Sequence, residues 1–323
     1  MSSRGTAGIN CCLCPLRDVR RDPTMAPVPY CGSPPVPGHL AWNLDPVLIA
    51  CLIAIAMAYG WRSKVAHPYS IACFAAGWLV LALALISPLC NLSVALFSAR
   101  VTQHMVMTLV AAPLIVLGIE EGMLAAAPKR IAQGEAAWAS LTAMLFAVVL
   151  WTWHAPEPYG ASFQSTAIYW LMHFTMLGSA LLLWHTFLSA RSAAAPLLVG
   201  AITMLQMSLL GALLTFARLP LFDVHSTSTW SWGLSPLEDQ ELGGLIMWIA
   251  GGVLLTAYGV LALGLWMHRI SVRQASATVE LESVATRNLR TAFAKPATKL
   301  IAMRRHGRVS QETGRDQDLS AIV

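Results

Sequence analysis

The chain has 323 residues, 56% of them hydrophobic and 11% charged, with mean hydropathy +0.60. Soluble domains carry about a quarter charged residues, so the composition excludes an ordinary soluble globular protein and points to a polytopic membrane protein. The formal net charge is +5, and its distribution says more than its sign.

Residues 1–24, MSSRGTAGINCCLCPLRDVRRDPT, hold arginines but no apolar run, so they do not make a secretory signal. Their CCLC segment contains a C-x-x-C, a spacing that suits metal or redox chemistry. The alternative is a translation start at Met25, which would remove the segment altogether. Cys11, Cys12, Cys14 and Cys31 lie in the amino-terminal tail of residues 1–40. Cys51, Cys73 and Cys90 fall in apolar runs, where a cysteine behaves as a small hydrophobe. No disulfide framework is legible.

A span needs about 17–25 mostly apolar residues. Seven stretches qualify, at 46–61, 71–89, 93–118, 136–153, 166–188, 196–217 and 243–267. Lys/Arg bias orients them. Arg62 and Lys64 follow the first span, Lys129 and Arg130 the third, and Arg191 the fifth. Ten Lys/Arg between Arg269 and Arg315 follow the seventh, whereas the alternate loops hold only Arg218. The expected fold is an all-α integral membrane protein, a bundle of seven transmembrane helices with its amino terminus outside and its carboxyl terminus cytoplasmic. Arg4, Arg17, Arg20 and Arg21 break the charge rule, and a start at Met25 removes all four. The chain divides into an amino-terminal tail (1–40), a membrane domain (41–268) and a basic cytoplasmic tail (269–323). That tail reads as disordered, or as a short surface helix near ATVELESVATRNLRTAF. It serves either as a positive anchor or as a binding segment.

The last external loop, LFDVHSTSTWSWGLSPLEDQELGG, carries Asp223, His225, Glu238, Asp239 and Glu241. Ser235, Pro236 and Glu238 form a capping box that starts the seventh helix ahead of the membrane. Asp239 is either a helix cap or a proton acceptor. Gly243, Gly244, Gly251 and Gly252 make a small-residue face for helix packing. Trp230 and Trp232 suit the interface.

Intramembrane ionisable groups default to function. His39, His67, His268 and His306 lie in tails, loops or at a helix end and carry no special expectation. Counting from the outer face, His104 sits near mid-depth of the third span, His154 at the outer end of the fourth, and His173 about seven residues into the fifth. The three therefore converge on the outer half of the bundle. Met107 and Met176 follow His104 and His173 by three residues, on the same helix faces. Imidazole and thioether ligands suit copper. The competing reading joins the histidines to Gln103, Thr102, Tyr159 or Tyr169 as hydrogen-bonding glue. Haem is a further alternative, resting on His173 and His185, but twelve residues leave them about 120° apart on a helix. A metal-ion or proton-coupled transporter would need a polar trail to the inner face, for which His185 is the main candidate. No phosphate loop, H-E-x-x-H or nucleophile elbow is present, and no nucleic-acid partner is expected.

In these residues the chain resembles the seven-span CtaG-like cytochrome c oxidase assembly factors, associated with caa-type oxidases and distinct from the single-span copper chaperone of the same name. The resemblance rests on AWNLDP (41–46), SPL (87–89), QHMVMTLVAAPLIVLG (103–118), WTWHAPEPY (151–159), HFTMLGSALLLWH (173–185) and PLEDQELGGLIMWIAGG (236–252). It implies a bacterial inner-membrane protein without catalytic turnover, with cytochrome c oxidase subunits and the lipid bilayer as its partners. It further implies a role in copper supply, with His104, His154, His173 and Asp239 as the metal residues. One position departs from the pattern. Members commonly read H-x-x-Q-H in the third span, and here the first position is Arg100, which cannot ligate a metal.

Overall fold

The computed structural model describes residues 28–63, 67–119, 135–189 and 194–318. The C-x-x-C, Met25, Lys64, Lys129, Arg130 and Arg191 lie outside the described residues, as does the side chain of His306. Among the described residues every regular element is helical, and none is a strand. In chain order they are α1 (Pro46–Arg62), α2 (Pro68–Ile86), α3 (Pro88–Ala95), α4 (Phe97–Met105), a π-helical turn (Val106–Ala111) and α5 (Ala112–Gly118). Then come α6 (Glu135–Trp153), α7 (Pro156–Gln164), α8 (Thr166–Ser189), α9 (Ala194–Thr215), two short 3₁₀ turns (Asp223–His225, Thr229–Trp232) and α10 (Pro236–Asp318).

Proline at the first position starts several of these helices, because its missing N–H is one that no helix start can satisfy internally. Asp45 caps α1 by accepting from Val47 N at 2.8 Å, and Ser87 caps α3 by accepting from Leu89 N. His67 has a structural job after all: its Nδ1 accepts from Tyr69 N at the start of α2. The capping box forms as expected, with Ser235 N donating to Glu238 and Glu238 N donating to Ser235.

Among the described residues six helices are long and apolar enough to cross a membrane: Pro68–Ile86, Phe97–Gly118, Glu135–Trp153, Thr166–Ser189, Ala195–Thr215 and the first part of α10. α1 is apolar but shorter, at 17 residues. This is a multi-pass membrane protein.

The third expected span is not one continuous helix. It breaks at Leu96, whose φ of −127° and ψ of 131° are extended, so α4 begins there with unsatisfied N–H groups. Ten residues on, the helix widens into the π turn, with Ala112 N donating to Met107 O five residues back. The next bond of that register would come from residue 113, but Pro113 has no N–H. Trp184 Nε1 donates to Thr108 O instead at 2.7 Å, and Tyr258 Oη donates to Leu109 O.

α5 lies hard against α2. A Cβ on Gly118 would come within 2.4 Å of Phe74 N, and one on Gly77 within 2.8 Å of Ile115 N. Tyr59, Phe74 and Trp78 stack beside this crossing, with Tyr59 and Phe74 3.6 Å apart, and Tyr59 Oη donates to Gly118 O. Of the expected glycine face on α10, Gly243 meets the Phe97 ring, Gly244 the Gly211 carbonyl and Gly251 the Met207 side chain. Gly252 faces open space and packs against nothing.

A second unit begins at Val260, and it continues α10 to Asp318. The basic tail is therefore helical throughout its described part, longer than the expected short segment, and its described side chains are almost all exposed.

The absence of a legible disulfide is corrected. Cys31 and Cys90 are bonded to one another. Cys31 sits in the amino-terminal segment, which Asn91 Nδ2 also holds by donating to Cys31 O at 2.9 Å and to Ser33 O. The bond joins residues 59 apart in sequence, and spacing within one tail or one span could not reveal it.

Candidate functional site

α4 is a short polar helix buried on all sides. Arg100, Gln103 and His104 lie on it within one turn and are 1%, 0% and 2% exposed. Its exposed first donors need an acceptor, and Asp239 supplies one from α10. One carboxylate oxygen accepts from Phe97 N at 2.6 Å, and the other accepts from Ser98 N and from Ser98 Oγ at 2.5 Å. A carboxylate at a helix start is favoured by both hydrogen bonding and the helix dipole. Of the two sequence readings of Asp239, the cap describes what its oxygens do. Gln240 beside it bridges Leu221 N and Leu214 O, fastening the last loop to the end of α9.

The convergence of the three histidines holds in the structure. The His104 ring is 5.6 Å from that of His173 on α8 and 6.2 Å from that of His154 at the end of α6, centre to centre. All three are buried. His154 Nδ1 lies 2.8 Å from Leu150 O, and His173 Nδ1 lies 2.9 Å from Tyr169 O. A carbonyl only accepts, so each Nδ1 carries the proton and each Nε2 keeps its lone pair. That tautomer is the one a metal-ligating histidine adopts. His173 Nε2 has no hydrogen-bond partner, and neither ring nitrogen of His104 has one. The expected glue to Thr102, Gln103, Tyr159 or Tyr169 side chains does not form for these two rings. Thr102 turns to Ser98 O, Gln103 Nε2 to Ala84 O, and Tyr159 to a different histidine.

An imidazole nitrogen sits about 2 Å from a bound first-row metal, which puts rings sharing one ion roughly 5–5.5 Å apart between centres. The His104–His173 pair stands slightly wider than that spacing, and the His104–His154 pair wider still. Among the described residues no three His, Cys, Asp or Glu form a closed metal cage. The donor set is three buried imidazoles, of which His104 and His173 keep ring nitrogens without partners. Asp239 is not among them, since both its oxygens are committed to α4. Met107 packs into the apolar cluster with Leu48, Leu81 and Ile115, away from a ligand role.

Several residues of this region have roles that the sequence did not assign. Arg100 is enclosed by aromatic rings, its guanidinium 4.2 Å from the centre of Phe163, 5.6 Å from Tyr159 and 5.7 Å from Tyr169. Its Nη1 donates to Ser162 Oγ at 3.2 Å and to Met172 Sδ, and its Nε to Ser93 O. α7 presents Tyr159, Ser162 and Phe163 on one face, a spacing legible in YGASFQ only once Arg100 is known to face it. His225, assigned to an external loop, is 2% exposed and shares a 2.7 Å hydrogen bond with Tyr159 Oη. Burial first, and the Arg100 charge second, push its pKa down to about 3. It is therefore neutral. The disulfide completes the outer side: Cys31 Sγ lies 3.3 Å from Tyr169 Oη, and the Tyr169 ring lies 4.1 Å from His173. Tyr30 stacks on Tyr169 at 4.7 Å.

Neither among curated proteins nor among solved structures does anything match the chain. A family model, that of the cytochrome c oxidase caa3 assembly factors, matches residues 52–269, which is more than half of the sequence. The match takes in every stretch on which the resemblance rested except AWNLDP, which precedes it, and it covers the three histidines, Arg100 and Asp239. The chain belongs to the cytochrome c oxidase caa3 assembly factor family.

Proposed function

We propose that this protein supplies copper to the haem–copper oxidase during assembly, as a carrier without catalytic turnover, in contact with oxidase subunits in the bacterial inner membrane. Copper is its cargo. His104, His154 and His173 would hold the ion, the last two through Nε2. Copper stands at the top of the divalent series for nitrogen ligands, and a neutral imidazole presents the lone pair that ligation needs.

The observation that carries this reading is the set of nitrogens left over. Buried polar atoms are nearly always hydrogen-bonded, yet both nitrogens of His104 and Nε2 of His173 are not. They belong to rings 5.6 Å apart at one depth of the bundle.

In this reading α1 is the first of seven spans, with the amino terminus outside and the carboxyl tail cytoplasmic. Lys/Arg bias supports that orientation. The disulfide supports it too, because Cys31 precedes α1 and Cys90 follows α2, and such bonds persist on oxidising sides of membranes.

The test is metal analysis of protein purified from copper-supplemented cells, beside His104→Ala and His173→Ala. Wild type should carry copper and both variants should lose most of it. Unchanged copper in both would end the proposal. Deleting the protein should lower cytochrome oxidase activity, with partial rescue by added copper; normal oxidase assembly in its absence would equally end it.

A further inference from the structure

Arg100 presents a charge that the described protein does not balance. A guanidinium does not lose its proton in a protein, and a buried charge is ordinarily paired. Arg100 is 1% exposed, and among the described residues no carboxylate lies within ion-pairing distance of it. The internal candidates for a counter-charge do not pair with it. Asp239 keeps its charge but turns both oxygens to α4 and none to the guanidinium. Cys31 and Cys90 are joined as a disulfide and carry no thiolate. Burial pushes the Tyr159 phenol up, so it stays neutral. Three aromatic faces soften the charge through their quadrupoles, but they do not cancel it.

The donors also outnumber the acceptors. A guanidinium has five N–H groups. Nε and Nη1 are the donors in its three recorded hydrogen bonds, and Nη2 takes part in none. His104 stands one helical turn further along the same face of α4. A neutral imidazole has one N–H, and neither nitrogen of His104 has an acceptor. Guanidinium donors and an imidazole donor without acceptors call for a species that accepts only and carries negative charge.

We infer that Arg100 holds a small monovalent anion between α4, α7 and α8, next to the histidine cluster. One positive charge selects a monovalent ion, since a sulfate or a hydrogen phosphate dianion would leave a buried excess of negative charge. Halides and formate are the small monovalent anions that probe such a site. The anion cancels the guanidinium charge that would otherwise repel a cation from His104 and His173. The site stands on the metal-free protein and does not depend on copper.

The test uses the full-length protein in detergent, stripped of metal. Its thermal midpoint is measured at fixed ionic strength in chloride, bromide, formate or gluconate. The three small anions should raise it over gluconate, by roughly 5 °C at a concentration about 100-fold above the dissociation constant. Wild-type protein should also broaden the chloride-35 NMR line, and formate should reverse the broadening. Arg100→Gln should remove both effects, whereas Arg100→Lys, which keeps the charge, should retain a weaker one. Equal midpoints in chloride and gluconate with no chloride broadening in wild type would overturn the inference, whether or not the variants fold. A chloride response that survives in Arg100→Gln would overturn it as well. Because no metal is present, these outcomes are separate from the copper content of the histidine variants.

Discussion

Along the span Phe97–Gly118, α4 buries Arg100, Gln103 and His104, whereas α5, seven residues later, meets α2 through backbone approach and apolar side chains. Both halves lie in one apolar stretch of the sequence. They are held by different physics. α4 is fixed by hydrogen bonds that reach it from elsewhere in the chain: Asp239 at its first amides, Ser162 and Met172 at Arg100. α5 is fixed by the absence of side chains at Gly77 and Gly118 and by the Tyr59–Phe74 stack. The comparison teaches that average hydropathy can certify a span while concealing that half of it is a site. The π turn separates the halves, and a widened turn of this kind recurs at functional positions.

The strongest way to break the polar half is Asp239→Ala. It strands two amides and a hydroxyl in the interior, and unsatisfied buried donors cost about 1–3 kcal/mol each. The expected loss is about 3–5 kcal/mol, read as a lower midpoint of unfolding in detergent. Asp239→Asn retains one accepting oxygen and should lose less than half as much. Equal stability of Asp239→Ala and wild type would show that α4 needs no cap from α10. A metal role for this residue would instead show as lost copper in a variant of undiminished stability.

Gly118→Ala probes the other half. The added methyl falls within 2.4 Å of the Phe74 backbone, so α2 and α5 must part. Overpacking of this kind costs about 1–3 kcal/mol. Per folded molecule, copper content and the chloride response should stay at wild-type values. If either falls together with stability, the two halves are not separable and the comparison fails.

How much of this was legible follows the same division. The apolar helices, the capping box at Ser235–Glu238 and the meeting of His104, His154 and His173 came from periodicity, charge bias and depth, which are local or nearly local signals. The family resemblance was carried by short stretches that the family match then covered. Asp239 was recognisable as a candidate cap, but which helix it caps depends on a contact 142 residues away in sequence. The Cys31–Cys90 bond and the burial of His225 are likewise tertiary facts, reached through folding of a tail and a loop over the bundle. The break at Leu96 left no mark in hydropathy, because Leu92, Val94, Leu96, Phe97 and Val101 keep the stretch apolar across it.

The joint between the halves offers the smallest effect and the sharpest one. Trp184 Nε1 holds Thr108 O, the carbonyl that the π register leaves without a donor because Pro113 follows. Trp184→Phe keeps the ring and removes that bond, at a cost of about 1 kcal/mol. With Thr108 O free, Ala112 N can bond to it four residues back and restore an α-helical turn. A π turn holds one residue more than an α turn, so its loss rotates α4 against α5 by roughly 100°. That rotation would carry His104 away from His173 and Arg100 away from Phe163. Trp184→Phe should therefore fold with a midpoint only a few degrees lower, yet lose copper and the chloride response together. Retention of both would show that Tyr258 and the surrounding packing hold the π turn without the indole.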